Sequence, residues 1–456
     1  MPTESKVAAF KRCQTSSVAD GDSRARLSAI IRERTARVAV IGLGYVGLPM
    51  ALAFVRAGFP VTGIDVNAER CEALAQGRSY ITDVSDAEVR FAVDSGSFRP
   101  TAKLSCLAEV DVVLICVPTP LRKSKDPDLS AILAAADATA THLRRGQLVL
   151  LESTTYPGTT EEVLLPRFTD RGLTVGKDFF LAFSPERVDP GNASFTIQNI
   201  TKLVGGVTPD CTALAAEFYR QVVDEVVSVA NPRVAEASKL LENTFRSVNI
   251  ALANEMAVIC AHLGIDVWEV IDAAATKPFG FMPHYPGPGI GGHCIPLDPH
   301  YLSWRTRLSG YEPKFISLAS EINSSMPSYV VRLINKGLND QSLAVRGSRI
   351  LVLGVAYKPN VSDYRESPAL EIIDILHERG AQLMFSDPHV PTVAREDFLL
   401  ASQPLTPELL RRSDCVVVTT HHKAFDYEMI VRESRLVIDT RNITRPFAHL
   451  GNVQFL

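Results

Sequence analysis

The fold is constrained most by a glycine-rich turn that joins an apolar run to a helix. Residues 37–41 lead into Gly42-Leu43-Gly44-Tyr45-Val46-Gly47, and residues 48–57 continue with the apolar spacing of a helix. A second apolar run at 61–64 ends in Asp65. This order of strand, glycine turn, helix and strand predicts a parallel β-α-β unit. Backbone N–H groups at such a turn and at the helix N-terminus are suited to bind a diphosphate.

Asp65 favours one dinucleotide over another. It follows Gly47 by 18 residues, at the end of the second strand, where a carboxylate accepts hydrogen bonds from ribose hydroxyls and repels a 2′-phosphate. The sequence therefore predicts NAD as the cofactor rather than NADP. A glycine turn that serves packing alone is the alternative.

The alternation of strands and helices continues along the chain. Apolar runs at 110–117 and 148–151 flank a helical stretch at 129–143, and the same signal restarts at 349–354. Between these regions, residues 232–263 form one helical pattern of about 30 residues. The predicted fold class is α/β, with two Rossmann-like doubly wound domains joined by a long central helix and a helical domain.

The predicted organisation has four parts, and the long helix doubles as a subunit interface. The parts are a mobile tail (1–36) with a short helix near 28–34, an NAD-binding domain (37–230), a central helical domain that carries a cysteine loop (231–335), and a second Rossmann-like domain (336–456).

Composition excludes several classes of protein. No stretch approaches the roughly 18 consecutive apolar residues of a membrane-spanning helix. The net charge of −4 argues against nucleic acid as a partner. The eight cysteines form no CxxC pair and no metal-ligand spacing, which is typical of reduced thiols. The N-terminal segment lacks the apolar core of a secretory signal, so we expect a cytoplasmic protein.

One cysteine stands in an unusual loop. Residues 285–298 read Tyr-Pro-Gly-Pro-Gly-Ile-Gly-Gly-His-Cys-Ile-Pro-Leu-Asp, so glycines and prolines bring the backbone of Cys294 close to any ligand. We interpret Cys294 as a nucleophile and Asp298 as its possible base. His293 ranks lower as a base, because adjacent side chains in an extended loop point apart. A small buried apolar cysteine is the alternative.

Further candidates lie at strand ends and on the long helix. Lys239 and Asn243 are four residues apart and share a helix face, where they could hold an alkoxide or a carbonyl oxygen; a solvated stripe is the simpler interpretation. Glu186 follows the apolar run 179–183 and is a candidate general base. Thr119 and Thr154 also follow apolar runs. They are either cofactor contacts or merely neighbours of residues that end the strand.

The second α/β region carries its own anion-binding pattern. A strand is followed by a loop with Tyr357 and Lys358, and residues 363–368, which include Arg365, precede a helix. Strand, lysine-bearing loop and helix N-terminus form a phosphate-binding arrangement that suits the diphosphate of a nucleotide.

Seven segments together resemble the UDP-glucose/GDP-mannose dehydrogenase family over essentially the whole chain after the tail. They occur in the family's order and read GLGYVG, CVPTP, ESTTYPGTT, SPERVDPG, EASKLLENTFRSVNIALANE, GPGIGGHCIPLDP and GVAYKPNVSDYRESPA. Residues 277–298 are similar to the branch that oxidises UDP-N-acetylhexosamines, especially UDP-N-acetylglucosamine. The resemblance implies an NAD-dependent, four-electron oxidation of the sugar C6 to a carboxylate, through a thiohemiacetal and a thioester. It also implies a homodimer and a role in polysaccharide biosynthesis.

The resemblance assigns roles to individual residues. Those implied in catalysis are Cys294, Lys239, Asp298, Glu186 and Asn243. The implied NAD contacts are Gly42, Gly44, Tyr45, Val46, Gly47, Asp65, Arg70, Thr119, Thr154 and Arg365, although by spacing alone Arg70 is a solvated arginine. The implied substrate contacts are Arg187, Lys239, Asn243, Tyr285, Gly289, Gly291, Tyr357, Lys358 and Arg441. One departure is Pro190, which stands where the UDP-glucose branch commonly has a glutamate.

Three alternatives remain open at this stage. In the first, the enzyme belongs to the same family but oxidises UDP-glucose or UDP-N-acetylmannosamine. In the second, the chain is a two-electron dehydrogenase of a small hydroxy acid, which would not need Cys294 or a second nucleotide domain. The third is a nucleotide-binding protein without catalysis.

Overall fold

Two α/β units make up the chain in the computed structural model, which describes residues 22–81, 83–122, 126–188, 194–292 and 294–456. The first unit comprises residues 1–241 and the second residues 242–456.

The first unit is built on an eight-stranded sheet with the spatial order β3-β2-β1-β4-β5-β6-β7-β8. Its strands are β1 (Val38–Ile41), β2 (Val61–Ile64), β3 (Phe98–Thr101), β4 (Val112–Ile115), β5 (Gln147–Leu151), β6 (Phe179–Phe183), β7 (Lys202–Gly206) and β8 (Val226–Ser228). Neighbouring strands are parallel except β6 and β7, which are antiparallel. Strand β7 therefore begins at the edge of the sheet where β6 ends.

Helices cover both faces of this sheet. They are α1 (Ser23–Arg32), α2 (Gly47–Arg56), α3 (Ala68–Ala75), α4 (Asp86–Asp94), α5 (Ser130–His142), α6 (Leu165–Thr169) and α7 (Pro209–Tyr219). Because side chains alternate along a strand, Val38 and Val40 enter one apolar core while Ala39 and Ile41 enter the core on the other face.

Helix α1 corrects the predicted tail. It begins at Ser23 rather than near residue 28, with the Asp22 carboxylate accepting a hydrogen bond from the N–H of Arg24. Leu27 and Ile31, four residues apart, are buried in the core of the first unit. Residues 1–21 lie outside the described part of the chain.

Helix α8 (Pro232–Leu263) has 32 residues and confirms the predicted long helix. It passes the point at which the chain divides into its two units. Near its beginning, the buried Glu236 carboxylate accepts hydrogen bonds from the N–H groups of Gly158 and Thr160 and from the Thr160 hydroxyl. Burial raises the pKa of Glu236, and these three donors favour its charged form.

The second unit contains a five-stranded parallel sheet with the order β10-β9-β13-β14-β15 and a two-stranded antiparallel ribbon of β11 and β12. The strands are β9 (Arg349–Leu353), β10 (Gln382–Ser386), β11 (Thr392–Ala394), β12 (Leu399–Ala401), β13 (Cys415–Val418), β14 (Val437–Asp439) and β15 (Val453–Phe455). The helices are α9 (Val267–Ala275), α10 (Asp298–Arg307), α11 (Lys314–Asn339), α12 (Pro368–Glu378), α13 (Pro407–Arg412) and α14 (Tyr427–Glu433).

The predicted α/β class with two Rossmann-like domains and a long helix is confirmed. Among the described residues, no helix is both long and apolar enough to span a bilayer.

Candidate active site

Polar residues collect at one edge of the first sheet. Strands β2, β1, β4 and β5 are neighbours and parallel, so the residues that follow them share that edge. These residues are Asp65 after β2, Gly42 after β1, Thr119 after β4 and Thr154 after β5. Ligands of open parallel sheets bind at this edge.

The glycine turn has the shape needed to approach a diphosphate. Gly42 has φ of +92°, and a Cβ there would lie 2.4 Å from the carbonyl oxygen of Cys116. A Cβ at Gly47 would lie 1.8 Å from the carbonyl oxygen of Gly42. A Cβ at Gly44 would meet nothing within 4 Å. Two glycines thus close the turn against the sheet, and Gly44 leaves open space in which a diphosphate fits.

The Asp65 carboxylate fastens the turn. One oxygen accepts a hydrogen bond from the N–H of Leu43 at 2.9 Å, and the other accepts one from the N–H of Asn67 at 2.9 Å. Arg70 lies beside it, with its guanidinium 3.8 Å from the carboxylate and 5.2 Å from the ring centre of Tyr80. Arg70 is exposed, as its spacing predicts, and its guanidinium also borders the turn.

A buried cluster of charges lies beyond β5 and β6, and the sequence reasoning missed its centre. The Lys202 ammonium, at the start of β7, is 3.2 Å from a carboxylate oxygen of Glu152 and 3.3 Å from one of Glu186. The Tyr219 hydroxyl donates to the other Glu152 oxygen at 2.5 Å. The second Glu186 oxygen accepts from the N–H groups of residues 187 and 188.

The two carboxyl groups of this cluster titrate differently. Burial raises the pKa of Glu152. Burial also acts to raise the pKa of Glu186, but the Lys202 ammonium and the N–H of Val188 outweigh it and hold that pKa below its ordinary value. Glu186 is therefore an ionised carboxylate at neutral pH.

On α8, Lys239 is 9% exposed and Asn243 is 6% exposed. The interpretation of these residues as a solvated stripe is wrong, because both are buried while the neighbouring Leu241 is 67% exposed. The positive charge of Lys239 also acts to lower the pKa of Glu186. The Asn243 amide donates a hydrogen bond of 2.5 Å to the buried carboxylate of Asp298.

Cys294 differs from the other described cysteines. It is exposed, whereas the other six, at positions 71, 106, 116, 211, 260 and 415, are buried. Its carbonyl oxygen accepts hydrogen bonds from the N–H groups of Leu297 and Asp298, at 3.1 and 2.8 Å. Cys294 thus stands one turn ahead of α10, whose N-terminus favours negative charge nearby. The alternative of a buried, apolar Cys294 is wrong.

The glycine loop packs closely against the second sheet's ligand edge. A Cβ at Gly287 would lie 2.7 Å from the guanidinium of Arg441, and one at Gly291 would lie 2.9 Å from the side chain of Tyr357. Gly289 has φ of +127°, and its Cβ would be 3.2 Å from Pro368. This arrangement brings together several predicted substrate contacts, and burial lowers the pKa of Arg441 to about 10.

Two buried amides anchor this loop, and the sequence reasoning did not identify them. The side-chain oxygen of Asn254 accepts a hydrogen bond from the N–H of Gly287 at 2.9 Å. The Asn254 amide group donates to the side-chain oxygen of Asn323 on α11, and the Asn323 amide group donates to the carbonyl oxygen of Ser247. The one feature of the sequence that could have indicated them is the presence of asparagines inside long helical patterns.

The remaining candidates have other partners. Tyr285 donates a hydrogen bond to Asp272 at 2.7 Å and stacks on Trp268. The Arg365 guanidinium binds the carboxylate of Asp363, and that of Arg187 donates to the carbonyl oxygen of Thr201. Lys358 Nζ lies 5.6 Å from the ring centre of Tyr357. Tyr45 is 42% exposed beside the glycine turn. His293 and Pro190 lie outside the described residues.

Three family models match consecutive parts of the chain. They are the NAD binding domain of the UDP-glucose/GDP-mannose dehydrogenase family at residues 36–223, its central domain at 233–325, and its UDP binding domain at 351–446.

Individual relatives cover most of the chain. A UDP-N-acetyl-D-glucosamine 6-dehydrogenase of Pseudomonas aeruginosa is 39% identical over 78% of this chain and 83% of its own length. A UDP-N-acetyl-D-mannosamine dehydrogenase of Pyrococcus horikoshii is 36% identical over 90% of this chain and 96% of its own. The solved structure of a UDP-N-acetyl-D-mannosamine dehydrogenase from Pyrococcus horikoshii has a TM-score of 0.82 and 35% identity, and covers 89% of this chain and 96% of that one.

Proposed function

The chain belongs to the UDP-glucose/GDP-mannose dehydrogenase family, and we propose that it oxidises C6 of a UDP-N-acetylhexosamine to a carboxylate. UDP-N-acetylglucosamine is the substrate that we propose first. Membership of the family and the names of its relatives indicate a nucleotide-sugar dehydrogenase with NAD as cofactor. The observation that carries oxidation to the carboxylate is the exposed thiol of Cys294 on a glycine-shaped loop ahead of α10. The proposal of an N-acetylated sugar is supported by the relatives named for such sugars.

Cys294 explains how an alcohol can be oxidised twice. An aldehyde has no hydride to release until a nucleophile adds to its carbonyl carbon. We assign that addition to the Cys294 thiolate, which gives a thiohemiacetal and, after the second oxidation, a thioester that water cleaves. NAD, when bound, accepts the hydride in each oxidation.

The other groups move protons and stabilise charge. Asp298 accepts the thiol proton, with its carboxylate oriented by the amide of Asn243. The Lys239 ammonium stabilises the oxygen of the reacting carbon as negative charge develops there. Glu186, held as an ionised carboxylate, accepts a proton from the water that cleaves the thioester.

The two nucleotides occupy separate places in this proposal. NAD is held by residues 42–47, Asp65 and Arg70, with Thr119, Thr154 and Arg365 as further predicted contacts. The UDP moiety is held by Tyr357, Lys358 and Arg441 together with Tyr285, Gly289 and Gly291, and Arg187 remains a predicted substrate contact. The domain boundaries that we propose are 37–230, preceded by α1, which packs into the core of that domain, then 231–335 and 336–456.

Relatives named for both N-acetylglucosamine and N-acetylmannosamine match the chain, so the experiment compares the two sugars directly. The test is NADH formation, followed by absorbance, with a panel of UDP-sugars that includes both epimers and UDP-glucose. We expect two NADH per sugar and the highest kcat/KM with UDP-N-acetylglucosamine. One NADH per sugar contradicts the thioester mechanism, and a preference for another sugar contradicts only the assignment of the substrate.

A serine in place of the nucleophile tests the covalent step. Cys294→Ser should lower uronic acid formation by orders of magnitude while NAD binding, measured by calorimetry, stays unchanged. Wild-type enzyme quenched during turnover should carry the sugar on Cys294 in a mass spectrum. Near-normal product formation by the variant contradicts the mechanism.

We also propose a homodimer formed through α8. Phe245, Leu252 and Ile259 follow one another at intervals of seven residues and are 45%, 55% and 43% exposed. A helix that exposes apolar side chains in this repeat has a surface suited to pack against a second copy. Analytical ultracentrifugation should give a dimer for the wild type and a monomer for Leu252→Glu. A wild-type monomer contradicts the proposal.

A further inference from the structure

The Lys202 ammonium is the centre of a buried cluster, and the mechanism above uses Glu186 but gives Lys202 no role. It is 4% exposed and bridges Glu152 and Glu186, two carboxylates contributed by segments that follow neighbouring strands. Its position follows from the reversal of β7. Because β7 is antiparallel to β6, its first residue, rather than its last, lies at the ligand edge.

The two carboxylates that Lys202 bridges have different surroundings. The Glu152 side chain is fully buried and accepts the Tyr219 hydroxyl. The Glu186 side chain is 12% exposed, and one of its oxygens is fixed by two backbone N–H groups. Glu186 is therefore the member of the pair with access to solvent or substrate, and Glu152 is its buried counterpart.

A role in stability alone accounts poorly for this cluster. Desolvating an ion pair costs about as much as the pair gains, and apolar residues of similar volume are often at least as stable. Here two carboxylates share one ammonium, so neither carboxylate has an ion-pair partner to itself. Ionisable groups with perturbed pKa values cluster at functional sites, and this cluster lies at a ligand edge.

We propose that Lys202 is a positioning residue for Glu186: its ammonium fixes the orientation and the charge of the carboxylate that activates water against the thioester. The inference rests on the proposed function. In that step the water oxygen bonds to the thioester carbonyl carbon and its proton passes to Glu186. The C–S bond then breaks, its electron pair leaves on Sγ of Cys294, and the sugar departs as the uronic acid.

The inference makes a prediction about pH. The charged and titratable groups around Glu186 include Lys202, Glu152, Lys239, Arg187, Tyr219 and Cys116. Without the ammonium, burial and the negative charge of Glu152 would both favour the protonated carboxyl. An opposite charge at this distance moves the pKa of a carboxyl group by about 1–3. Loss of the ammonium should shift the acidic limb of thioester hydrolysis upward by a similar number of pH units.

The test compares wild-type enzyme with Lys202→Arg, Lys202→Met and the double variant Lys202→Met/Glu152→Gln. The double variant removes one charge of each sign, so we expect it to fold even if Lys202→Met alone unfolds. Asp111→Asn is the matched control, because the buried Asp111 carboxylate forms an ion pair with the partly exposed Arg144 at the opposite edge of the same sheet.

Single-turnover kinetics with mass spectrometry report the hydrolysis step directly. We expect the double variant to release NADH from the two oxidations at near-normal rates, to accumulate sugar thioester on Cys294, and to hydrolyse it at least tenfold more slowly. The acidic limb of its pH–rate profile for thioester hydrolysis should move to higher pH. Lys202→Arg, which keeps a positive charge, should hydrolyse the thioester at close to the wild-type rate. Asp111→Asn should change neither the limb nor the rate. A double variant with wild-type hydrolysis and an unmoved limb overturns the inference.

A failure of the proposed function has a different signature, since the wild type would then form no NADH with any UDP-sugar. The charge of Glu186 is measured in that case without turnover, by infrared titration of the carboxylate band in wild type minus Glu186→Gln. The same difference spectrum of the double variant should show protonation at higher pH, and an unshifted titration overturns the inference.

Discussion

A methyl group at Gly44 should separate cofactor binding from folding. A Cβ at this position meets no atom within 4 Å, and the residue does not adopt a positive φ. Gly44→Ala should therefore fold normally, and its stiffer unfolded chain should raise the free energy of unfolding by about 0.4–1 kcal/mol. That corresponds to a rise in Tm of at most about 4 °C for a unit of this size.

The same methyl group should weaken NAD binding, because it fills the space left for the diphosphate. Keeping the diphosphate one atom further away loses at least one hydrogen bond to a charged group, worth about 1.5–3 kcal/mol. The Kd for NAD should rise by about 10- to 100-fold. Titration calorimetry with NAD measures this, and UDP binding in the same preparation should not change.

Gly47→Ala is the matched control for Gly44→Ala. A Cβ there would lie 1.8 Å from the carbonyl oxygen of Gly42, so the first turn of α2 must move. Such overpacking costs about 1–3 kcal/mol and should lower Tm by roughly 2–10 °C. The reasoning is refuted if Gly44→Ala binds NAD with the wild-type Kd, or if it lowers Tm as much as Gly47→Ala.

Three further predictions concern other parts of the chain. Glu236→Ala leaves three buried donors without their acceptor and should lower the free energy of unfolding by about 2–5 kcal/mol; a loss below about 1 kcal/mol in urea denaturation contradicts this. Gly287→Ala places a Cβ 2.7 Å from the guanidinium of Arg441 and should raise the calorimetric Kd for UDP about tenfold, the equivalent of one hydrogen bond, without changing that for NAD. Burial acts to raise the pKa of Asp387, but hydrogen bonds from His422 and backbone N–H groups hold it below its ordinary value. The ionised Asp387 carboxylate therefore contributes to the free energy of unfolding above the unfolded pKa of about 3.9, and this contribution is lost as pH falls further. The loss of unfolding free energy caused by Asp387→Asn, measured in urea, should be smaller at about pH 3.5 than at pH 7; an equal loss at both pH values contradicts the role given to this carboxylate.

Local patterns in the sequence predicted most of the first unit's ligand edge. The apolar run before Gly42 and the carboxylate after β2 depend on neighbours within a few residues, and parallel strands bring their ends to one edge without further information. The predicted strand 179–183 and the helix from Pro232 to about Leu263 also match the structure in their bounds.

Lys202 could not be predicted in the same way, because its position depends on the direction of a strand. A lysine before an apolar run normally flanks a parallel strand at the edge away from the ligands. Only the pairing of β7 against β6 places it beside Glu186, and strand direction is a tertiary property. Strands β3, β8 and β15 were also not predicted; they are short, partly exposed strands at the edges of their sheets.

The exposure pattern on α8 also differs from what periodicity predicts. Lys239 and Asn243 are buried while Leu241 is exposed. Hydrophobicity alone assigns the opposite faces. Whether a helix face meets protein or solvent is decided by its neighbours in space, which the helix sequence does not contain. Lys239 and Asn243 could therefore be identified only as candidates for a chemical role, not from hydrophobicity.

The amides of Asn254 and Asn323 that hold the glycine loop carry no charge. Changes of pH and added salt do not act directly on their hydrogen bonds, since neither group titrates and ionic screening acts on charges. The ion pair of Arg445 and Asp266 in the same unit has no such protection at high ionic strength. The placement of Gly287 against Arg441 should therefore persist in concentrated electrolyte that weakens surface contacts elsewhere.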